Sequence, residues 1–293
     1  MRLPILFLVV TAAAASAQPR PRFVAVPSKP QPGAVVRLSV TRADSAGTVT
    51  SVEGMLAGEP LHFVRAGSAW HAIGGVPTDA QGNVNARAYV TFASGRVDSL
   101  RATMVLPVIR KPKAVPLSVD SSFSRPMDSE TAARVARENA RARAVGRRAH
   151  DSPAMWAAGF LKPRESRVTS LFGSGRVFNG AVTSRHLGVD FAGAVGAPIL
   201  AANRGVVALV DSFFLAGNVV YIDHGAGVVT GYFHMSQATV AVGDTVSRGQ
   251  EIGLVGKTGR VTGPHLHWTA RYGTVTVNPN DLLTLDRMWY PGR

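Results

Sequence analysis

Cysteine is absent from this chain of 293 residues. Its absence excludes disulfide bonds and a lipid anchor on an N-terminal cysteine, so stability must come from packed cores or from a bound metal. The apolar run at the N-terminus is too short to span a bilayer. We therefore expect no transmembrane span in the mature protein.

The N-terminal segment is typical of a secretory signal peptide. Arg2 supplies the positive start, an apolar run extends from Leu3 to Val10, and Ala15–Ala17 offers small residues for cleavage. We predict a signal peptide over residues 1–17, a mature terminus at Gln18, and an exported protein in the periplasm or cell envelope. The alternative is that the segment is kept as an uncleaved anchor.

Acidic residues are scarce, since 18 Asp and Glu stand against 32 Lys and Arg and the formal net charge is +14. A basic protein can bind nucleic acid, but no DNA- or RNA-binding motif accompanies the charge, so we expect no nucleic-acid partner. For an exported chain the charge favours electrostatic association with an anionic wall or membrane surface. A merely solvated basic surface is the alternative.

The length accommodates two domains of modest size. Residues 18–108 read as short strands separated by turn residues, most clearly at Ala34–Val40, Ala86–Phe92 and Ser99–Val105. This pattern predicts an immunoglobulin-like β-sandwich. It holds no cluster of acids, bases or metal ligands, so we interpret it as an accessory domain, either a spacer or a targeting module.

Residues 109–163 are predicted to form a linker and a basic helix. The segment from Arg110 to Arg125 is rich in Pro, Lys and Ser, and Asp128 can N-cap a helix that runs to about Ala149. Residues 110–150 contain ten Lys and Arg against four Asp and Glu. The helix either docks across the two domains or lies on an anionic surface, and its thin apolar stripe favours docking.

The rest of the chain, residues 164–293, is glycine-rich and strand-like. No stretch with helical periodicity separates its predicted strands, which are Val206–Val210, Asn218–Asp223, Gly227–Tyr232 and Glu251–Val255. The predicted fold class is therefore mainly β, with a C-terminal antiparallel domain that contains a substrate groove. Its glycines either line the groove floor or form tight turns; they are Gly253, Gly256, Gly259 and Gly263.

Two short clusters in this domain offer metal ligands. If each segment is a strand, His186 and Asp190 share one face, and so do His265 and His267, because alternate residues of a strand point the same way. Zinc binds imidazole nitrogen and carboxylate oxygen, and catalytic sites use three protein ligands plus an open position. The alternative, in which each histidine only caps a strand end, does not account for two patterned clusters.

The other histidines are predicted to be structural. His224 lies where a strand meets a glycine turn, which favours a turn-stabilising hydrogen bond. His62 and His71 lie far upstream, and His150 follows the basic helix. None of these four has a patterned partner in the sequence.

At the level of motifs, four segments resemble those of the lysostaphin-like (M23 family) zinc metallopeptidases, which cut peptide bonds in bacterial cell-wall peptidoglycan. They are Arg185–Phe191, Gly231–Ser236, Val246–Gly259 and Gly263–Trp268. The resemblance extends from about Arg164 to Asp281 and implies the same antiparallel β fold.

Carried over by position, the resemblance implies that His186, Asp190 and His267 bind Zn²⁺. It also implies that His265 is the general base for a zinc-bound water, and that His234 either hydrogen-bonds the oxyanion or orients the water. Some members carry a tyrosine shortly before the first zinc histidine, whereas residues 171–185 contain none. Arg176 or Arg185 then becomes the candidate donor in its place; the alternative is that His234 suffices.

Three functions follow as hypotheses. The first is an exported zinc endopeptidase that hydrolyses peptide cross-links or stems of peptidoglycan. The alternative is a non-catalytic lysostaphin-like regulator that binds and activates another wall hydrolase, although such proteins typically lose zinc ligands that this chain retains. A wall-binding module with structural zinc is disfavoured, because such sites are usually closed by four ligands, commonly cysteines.

Overall fold

A computed structural model describes residues 20–41, 47–108, 114–120, 123, 127–180 and 182–285. The predicted signal peptide, residues 1–17, and the predicted mature terminus at Gln18 lie outside the described residues. Strands dominate the architecture, which confirms the mainly β fold class. Within the described ranges, no helix combines the length and apolar character needed to cross a membrane.

The N-terminal part is a sandwich of two four-stranded antiparallel sheets. Its strands are β1 (Arg22–Val26), β2 (Val35–Thr41), β3 (Val49–Leu56), β4 (Glu59–Pro60), β5 (Val64–Ala66), β6 (Ala69–Gly75), β7 (Asn83–Phe92) and β8 (Val97–Val105). One sheet has the order β1-β2-β6-β5 and the other β4-β3-β7-β8. Lettered in chain order, these are A-B-E-D and C′-C-F-G, the arrangement of an immunoglobulin-like sandwich, as predicted.

Strand β7 shows why the sequence folds this way. Ala86, Ala88 and Val90 are fully buried between the sheets, whereas Arg87 and Tyr89 face solvent. The alternation matches the two-residue repeat of a strand and gives one apolar face for the core.

Two elements follow in the segment predicted as linker and helix. Strand β9 (Ala114–Leu117) pairs in parallel with strand β11 (Gly175–Phe178), so this part of the predicted linker is a strand. Helix α1 (Ser129–Arg148) begins after Asp128, whose side chain accepts a hydrogen bond of 2.7 Å from the Thr131 amide. The predicted N-cap and helix are therefore present.

Helix α1 docks on the C-terminal sheet. Its small apolar face, Ala142, Val145 and Ala149, packs on a second hydrophobic cluster formed by Leu209, Phe213, Val219, Tyr221 and Val229. Glu138 is buried at the same interface, where its carboxylate accepts hydrogen bonds from Arg134 Nε at 2.7 Å and from the Phe214 amide at 2.9 Å.

The C-terminal part is built on a ten-stranded sheet. Its strands are β10 (Val168–Ser170), β13 (Val189–Ala192), β14 (Pro198–Leu200), β15 (Gly205–Phe213), β16 (Gly217–Asp223), β17 (Val228–Ala238), β18 (Thr245–Val246), β19 (Glu251–Val255), β20 (His265–Tyr272) and β21 (Val275–Val277). The main path is β10-β13-β20-β17-β16-β15-β18, with β14, β19 and β21 paired beside it. Strand β12 (Val182–Arg185) joins β11 and β9 in a separate sheet, and helix α2 (Pro279–Leu282) follows β21.

The sandwich and the C-terminal sheet share one hydrophobic core and are joined by direct hydrogen bonds. The Val35 amide donates to the Asp281 carboxylate at 2.8 Å, and the Tyr272 hydroxyl donates to the Pro60 carbonyl at 2.7 Å. Arg185 Nη1 donates to the Thr78 carbonyl at 3.0 Å. Several strands of each part thus contribute to the contact.

A buried polar cluster lies where the sandwich, α1 and the β20–β21 turn meet. The Glu59 carboxylate accepts a hydrogen bond of 2.9 Å from the Thr274 amide and lies 2.9 Å from His150 Nε2. His150 Nδ1 lies 2.8 Å from His62 Nε2. No pattern in the sequence connects His62 with His150, and the fold brings them together from positions 88 residues apart.

Candidate metal centre

The centre is formed where strands β13 and β20 pair. Asp190 on β13 and His267 on β20 are direct cross-strand partners, so their side chains start from adjacent positions on one face of the sheet. Leu266 and Trp268 point to the other face and are fully buried. The predicted alternation in this part of β20 is confirmed.

His186 reaches the centre from a connection and not from a strand. Strand β12 ends at Arg185 and β13 begins at Val189, so the prediction that His186 and Asp190 share one strand is wrong, and Leu187 is exposed instead of buried. The bend is possible because Gly188 has no side chain: an added Cβ would lie 2.6 Å from the His267 ring and from the Trp268 carbonyl. The backbone therefore passes directly beside a ligand ring.

Three side-chain atoms converge at this point. His186 Nε2 lies 3.0 Å from Asp190 Oδ1 and 2.8 Å from His267 Nδ1, and the last two atoms are 2.7 Å apart. Within the described residues, these three form the one group of histidine, cysteine and acidic side chains with metal-binding geometry. A tetrahedral zinc ion with bonds of about 2.0–2.1 Å places its ligands roughly 3.3 Å apart, so a small outward movement accommodates it.

The hydrogen bonds of His186 also suit a bound cation. His186 Nδ1 lies 2.9 Å from the Leu171 carbonyl, which can only accept, so this nitrogen carries the proton and Nε2 presents a lone pair. Asp190 Oδ1 presents lone pairs as well, at 3.0 Å. Two acceptors at this distance repel unless a proton or a metal ion lies between them, and the donor set of two imidazoles and one carboxylate is one that zinc binds.

Asp190 contacts His186, His267 and Arg176 of the centre. Burial alone would raise its pKa, but the contacts with His186 and His267 outweigh burial and hold the pKa below its usual range. Arg176 Nη2 contacts the second oxygen, Oδ2, and also donates to Ser170 Oγ at 3.0 Å. Asp190 therefore stays ionised, with Oδ1 turned to the histidines and Oδ2 neutralised by the guanidinium.

The two remaining candidate histidines flank the three. His265 Nε2 lies 3.6 Å from Asp190 Oδ1, and the His265 and His234 rings are 4.9 Å apart between centroids. His265 Nδ1 lies 2.8 Å from the Gly263 carbonyl and His234 Nδ1 lies 2.8 Å from the Thr258 carbonyl. Each Nδ1 therefore donates its proton to a carbonyl, and each Nε2 is left with a lone pair.

His234 is held in an unusual backbone conformation. Its φ of 62° lies in the left-handed region that non-glycine residues rarely adopt. The residue interrupts the regular pairing of β16 with β17, since the register shifts between Asn218 and Val220. Burial, together with the nearby His265 and His267, lowers the pKa of His234 well below its ordinary value. A strained residue with a perturbed pKa is typical of a functional position.

The sequence left open whether Arg176 or Arg185 lies at the centre, and the structure distinguishes them. Arg176 points into the centre, whereas Arg185 points to the sandwich and binds the Thr78 carbonyl. His224 is fully buried between the Arg204 carbonyl and Thr230 Oγ1, both at 2.8 Å, so it is a structural hydrogen-bonding residue.

A groove with a volume of about 780 Å³ opens beside Asp190 and His265. Val115 and Leu117 of β9 form part of one wall, so the linker strand borders the groove. Of the glycines considered above, Gly263 borders it with open space around it. Gly253, Gly256 and Gly259 instead pack closely on neighbouring backbone.

Sequence reasoning did not single out Arg260, which lines the same groove. Its position five residues before His265, in a glycine-bearing connection, was the available signal. Thr258, whose carbonyl orients His234, was likewise visible only as part of that connection.

Comparison with known proteins agrees with this geometry. Residues 184–279 match the model of "Peptidase family M23". These residues form a domain of this family. A crystal structure of a protein assigned to peptidase M23 from Pseudomonas aeruginosa superposes with a TM-score of 0.65 and 29% identity, covering 87% of this chain and 95% of that one.

Curated relatives match segments of similar length. A segment of 105 residues, 35% of this chain and 24% of the relative, is 47% identical to the peptidoglycan DD-endopeptidase ShyA of Vibrio cholerae. A segment of 94 residues, 32% of this chain and 22% of the relative, is 44% identical to the peptidoglycan DD-endopeptidase ShyC of the same organism. The match thus spans about a quarter of the length of these M23 relatives.

Proposed function

We propose that this M23 protein is an exported zinc-dependent endopeptidase that hydrolyses peptide cross-links of bacterial peptidoglycan, between D-alanine and the diamino acid. The relatives named DD-endopeptidases support this bond over glycine-containing bridges. The signal-like segment at residues 1–17 supports export to the periplasm or cell envelope.

One observation carries the proposal: three lone-pair donors of the zinc-binding type converge within 3.0 Å of one another at the wall of a groove. In this assignment His186, Asp190 and His267 hold the ion. A bound zinc ion would polarise the scissile carbonyl and acidify a water molecule. The protein's own residues must then bind the peptide and move the proton.

His265 is the proposed general base. Its Nδ1 proton is committed to the Gly263 carbonyl, so Nε2 is free to take a proton at the edge of the centre, and the Gly263 contact fixes the ring. The same argument applies to His234, since its Nδ1 proton is committed to Thr258. Neutral His234 then accepts a hydrogen bond at Nε2, which supports orienting the water over donating to an oxyanion.

We assign to Arg176 the role of the tyrosine that some family members carry shortly before the first zinc histidine. Its guanidinium already lies on Asp190, so its positive charge is within reach of negative charge that develops on the peptide carbonyl. Ser170 accepts another of its hydrogen bonds and holds the side chain in place.

The test combines metal analysis with digestion of purified peptidoglycan by the chain that begins at Gln18. We expect about one zinc per chain and soluble products, identified by mass spectrometry, that are cut between D-alanine and the diamino acid. Asp190→Ala should lose both zinc and hydrolysis. Asp211→Ala is the matched control, because Asp211 pairs with Arg141 on the outside of the sheet.

Two outcomes would contradict the proposal in different ways. Full zinc occupancy in Asp190→Ala would show that the ligand assignment is wrong. A zinc-loaded chain that leaves peptidoglycan intact but accelerates a separate wall hydrolase would identify the non-catalytic regulator instead.

A further inference from the structure

The groove beside the metal centre is strongly positive. Three arginines line it, Arg167, Arg176 and Arg260, and Asp190 is the single acidic residue among its described lining residues. Asp190 is already committed to the histidines and to Arg176. A divalent ion at the centre would add further positive charge, so the groove favours a ligand with negative charge.

The three arginines differ in how their charge is compensated. Arg176 pairs with Asp190 and Ser170. Arg167 is exposed, so water solvates its charge. The Arg260 guanidinium is partly buried, and within the described residues no carboxylate or carbonyl contacts it. It lies over the Phe178 ring, with Cζ 4.2 Å from the ring centroid.

The environment of Arg260 makes its charge costly without a ligand. Burial, followed by the neighbouring Arg176, lowers the pKa of Arg260. A partly desolvated cation beside another cation is destabilised until an anion joins it. The Phe178 face holds the guanidinium plane in position, and a planar guanidinium pairs with a carboxylate through two parallel hydrogen bonds.

The position of Arg260 indicates which part of the substrate carries the bound anion. Arg260 is close enough to Arg176 for their charges to interact, and Arg176 touches Asp190 of the metal centre. Arg260 also precedes His265 by five residues in the connection that leads into β20. An anion bound there therefore belongs to the part of the substrate that adjoins the cleaved bond.

We infer that Arg260 determines specificity by binding a free carboxylate of the substrate peptide beside the scissile bond. The inference rests on the proposed function, because it takes the groove ligand to be a peptide. It extends that function by stating which peptide is preferred: one whose carboxylate next to the bond is free and not amidated.

Binding of two synthetic peptides tests the inference. Both contain the D-alanyl–diamino-acid bond; one has a free carboxylate next to it, and in the other this carboxylate is an amide. Dissociation constants are measured by calorimetry on the zinc-loaded chain in a His265→Ala background, which keeps the peptides intact. We expect the acid to bind about 10- to 100-fold more tightly than the amide, as for hydrogen bonds to charged groups.

Variants then test whether Arg260 causes the preference for the acid over the amide. Arg260→Gln should weaken binding of the acid to the level of the amide and leave the amide unchanged, and Arg260→Lys should keep part of the preference. Arg167→Gln is the matched control, because it removes one positive charge from the same groove but should leave the acid-to-amide ratio within about twofold. Zinc content and circular dichroism of each variant check the fold.

Three results would overturn the inference: no preference in the unsubstituted groove, equal weakening of both peptides by Arg260→Gln, or loss of the preference in Arg167→Gln. Hydrolysis of the two peptides by the chain with His265 intact is followed in parallel. Binding with the expected preference but without hydrolysis would reject the endopeptidase and retain the carboxylate site, so the two failures are distinguishable.

Discussion

Because the His224 ring is buried, we expect the folded protein to lose stability as the pH falls. His224 is fully buried, its Nδ1 faces the Arg204 carbonyl, and its Nε2 faces Thr230 Oγ1, each at 2.8 Å. Thr230 Oγ1 in turn lies 2.9 Å from the Tyr232 hydroxyl. Burial lowers the pKa of His224 from its ordinary 6.5 to about 4, because the charged ring would lose its hydration.

The sign and size of the effect follow from proton linkage. Above pH 6.5, His224 is neutral in both the folded and the unfolded chain and contributes no pH dependence. Between pH 6.5 and about 4 only the unfolded chain takes up the proton, so the free energy of unfolding falls as the pH falls. At about 1.4 kcal/mol per pH unit, His224 should remove about 3 kcal/mol over this range.

The assay is urea denaturation at several pH values, with a chelator present so that metal dissociation does not contribute. Other histidines with lowered pKa values, such as His62 and His71, add to the same trend. The difference between the wild-type chain and His224→Gln therefore isolates the effect: the variant should lose about 3 kcal/mol less between pH 6.5 and 4. Identical pH dependence of the two chains would refute the reasoning.

Three further predictions concern the site and its surroundings. His265→Ala should keep zinc but lose about 10²–10⁴-fold in activity, whereas His267→Ala should lose zinc; the reverse pattern in metal analysis would show that the two roles are exchanged. Gly188→Ala should lower zinc content, because its Cβ would lie 2.6 Å from the His267 ring, and unchanged zinc would contradict that crowding. We also hypothesise that the sandwich restricts access to the groove: a fragment from Ala114, which keeps β9 and α1, should cleave soluble muropeptides faster than the full chain, while equal rates with a deficit only on intact sacculi would indicate targeting. A fragment from Ser152 serves as the stability control, since it exposes the apolar surface that α1 covers.

Local patterns were sufficient to predict the regular elements and part of the centre. The alternation in β7 predicts the buried face at Ala86, Ala88 and Val90. The same two-residue spacing predicts that the histidines of β20 share one face. Asp128 was recognised as a cap because capping depends on residues three positions apart. These features are decided within a few residues of the chain.

Features that depend on distant contacts were missed or wrong. His186 was placed on a strand with Asp190, but the close approach of Gly188 to His267 bends the chain there. The strand β9 forms only because β11 offers an edge, more than fifty residues away. The environment of Arg260 is formed by Phe178 and Arg176, which no periodicity connects to it.

Strand β20 lies between β13 and β17 in the sheet, and these three neighbours carry Asp190, His234, His265 and His267. Each of these strands is paired on both sides, whereas His186 lies in a connection, so tolerance to substitution is expected only in connections that do not contact the centre. Arg260 lies in the connection that leads into β20. An engineer who wishes to change the accepted peptide can therefore vary Arg260, Val261 and Thr262, and should keep Thr258, Gly259 and Gly263, which contact His234, the Gly217 backbone and His265.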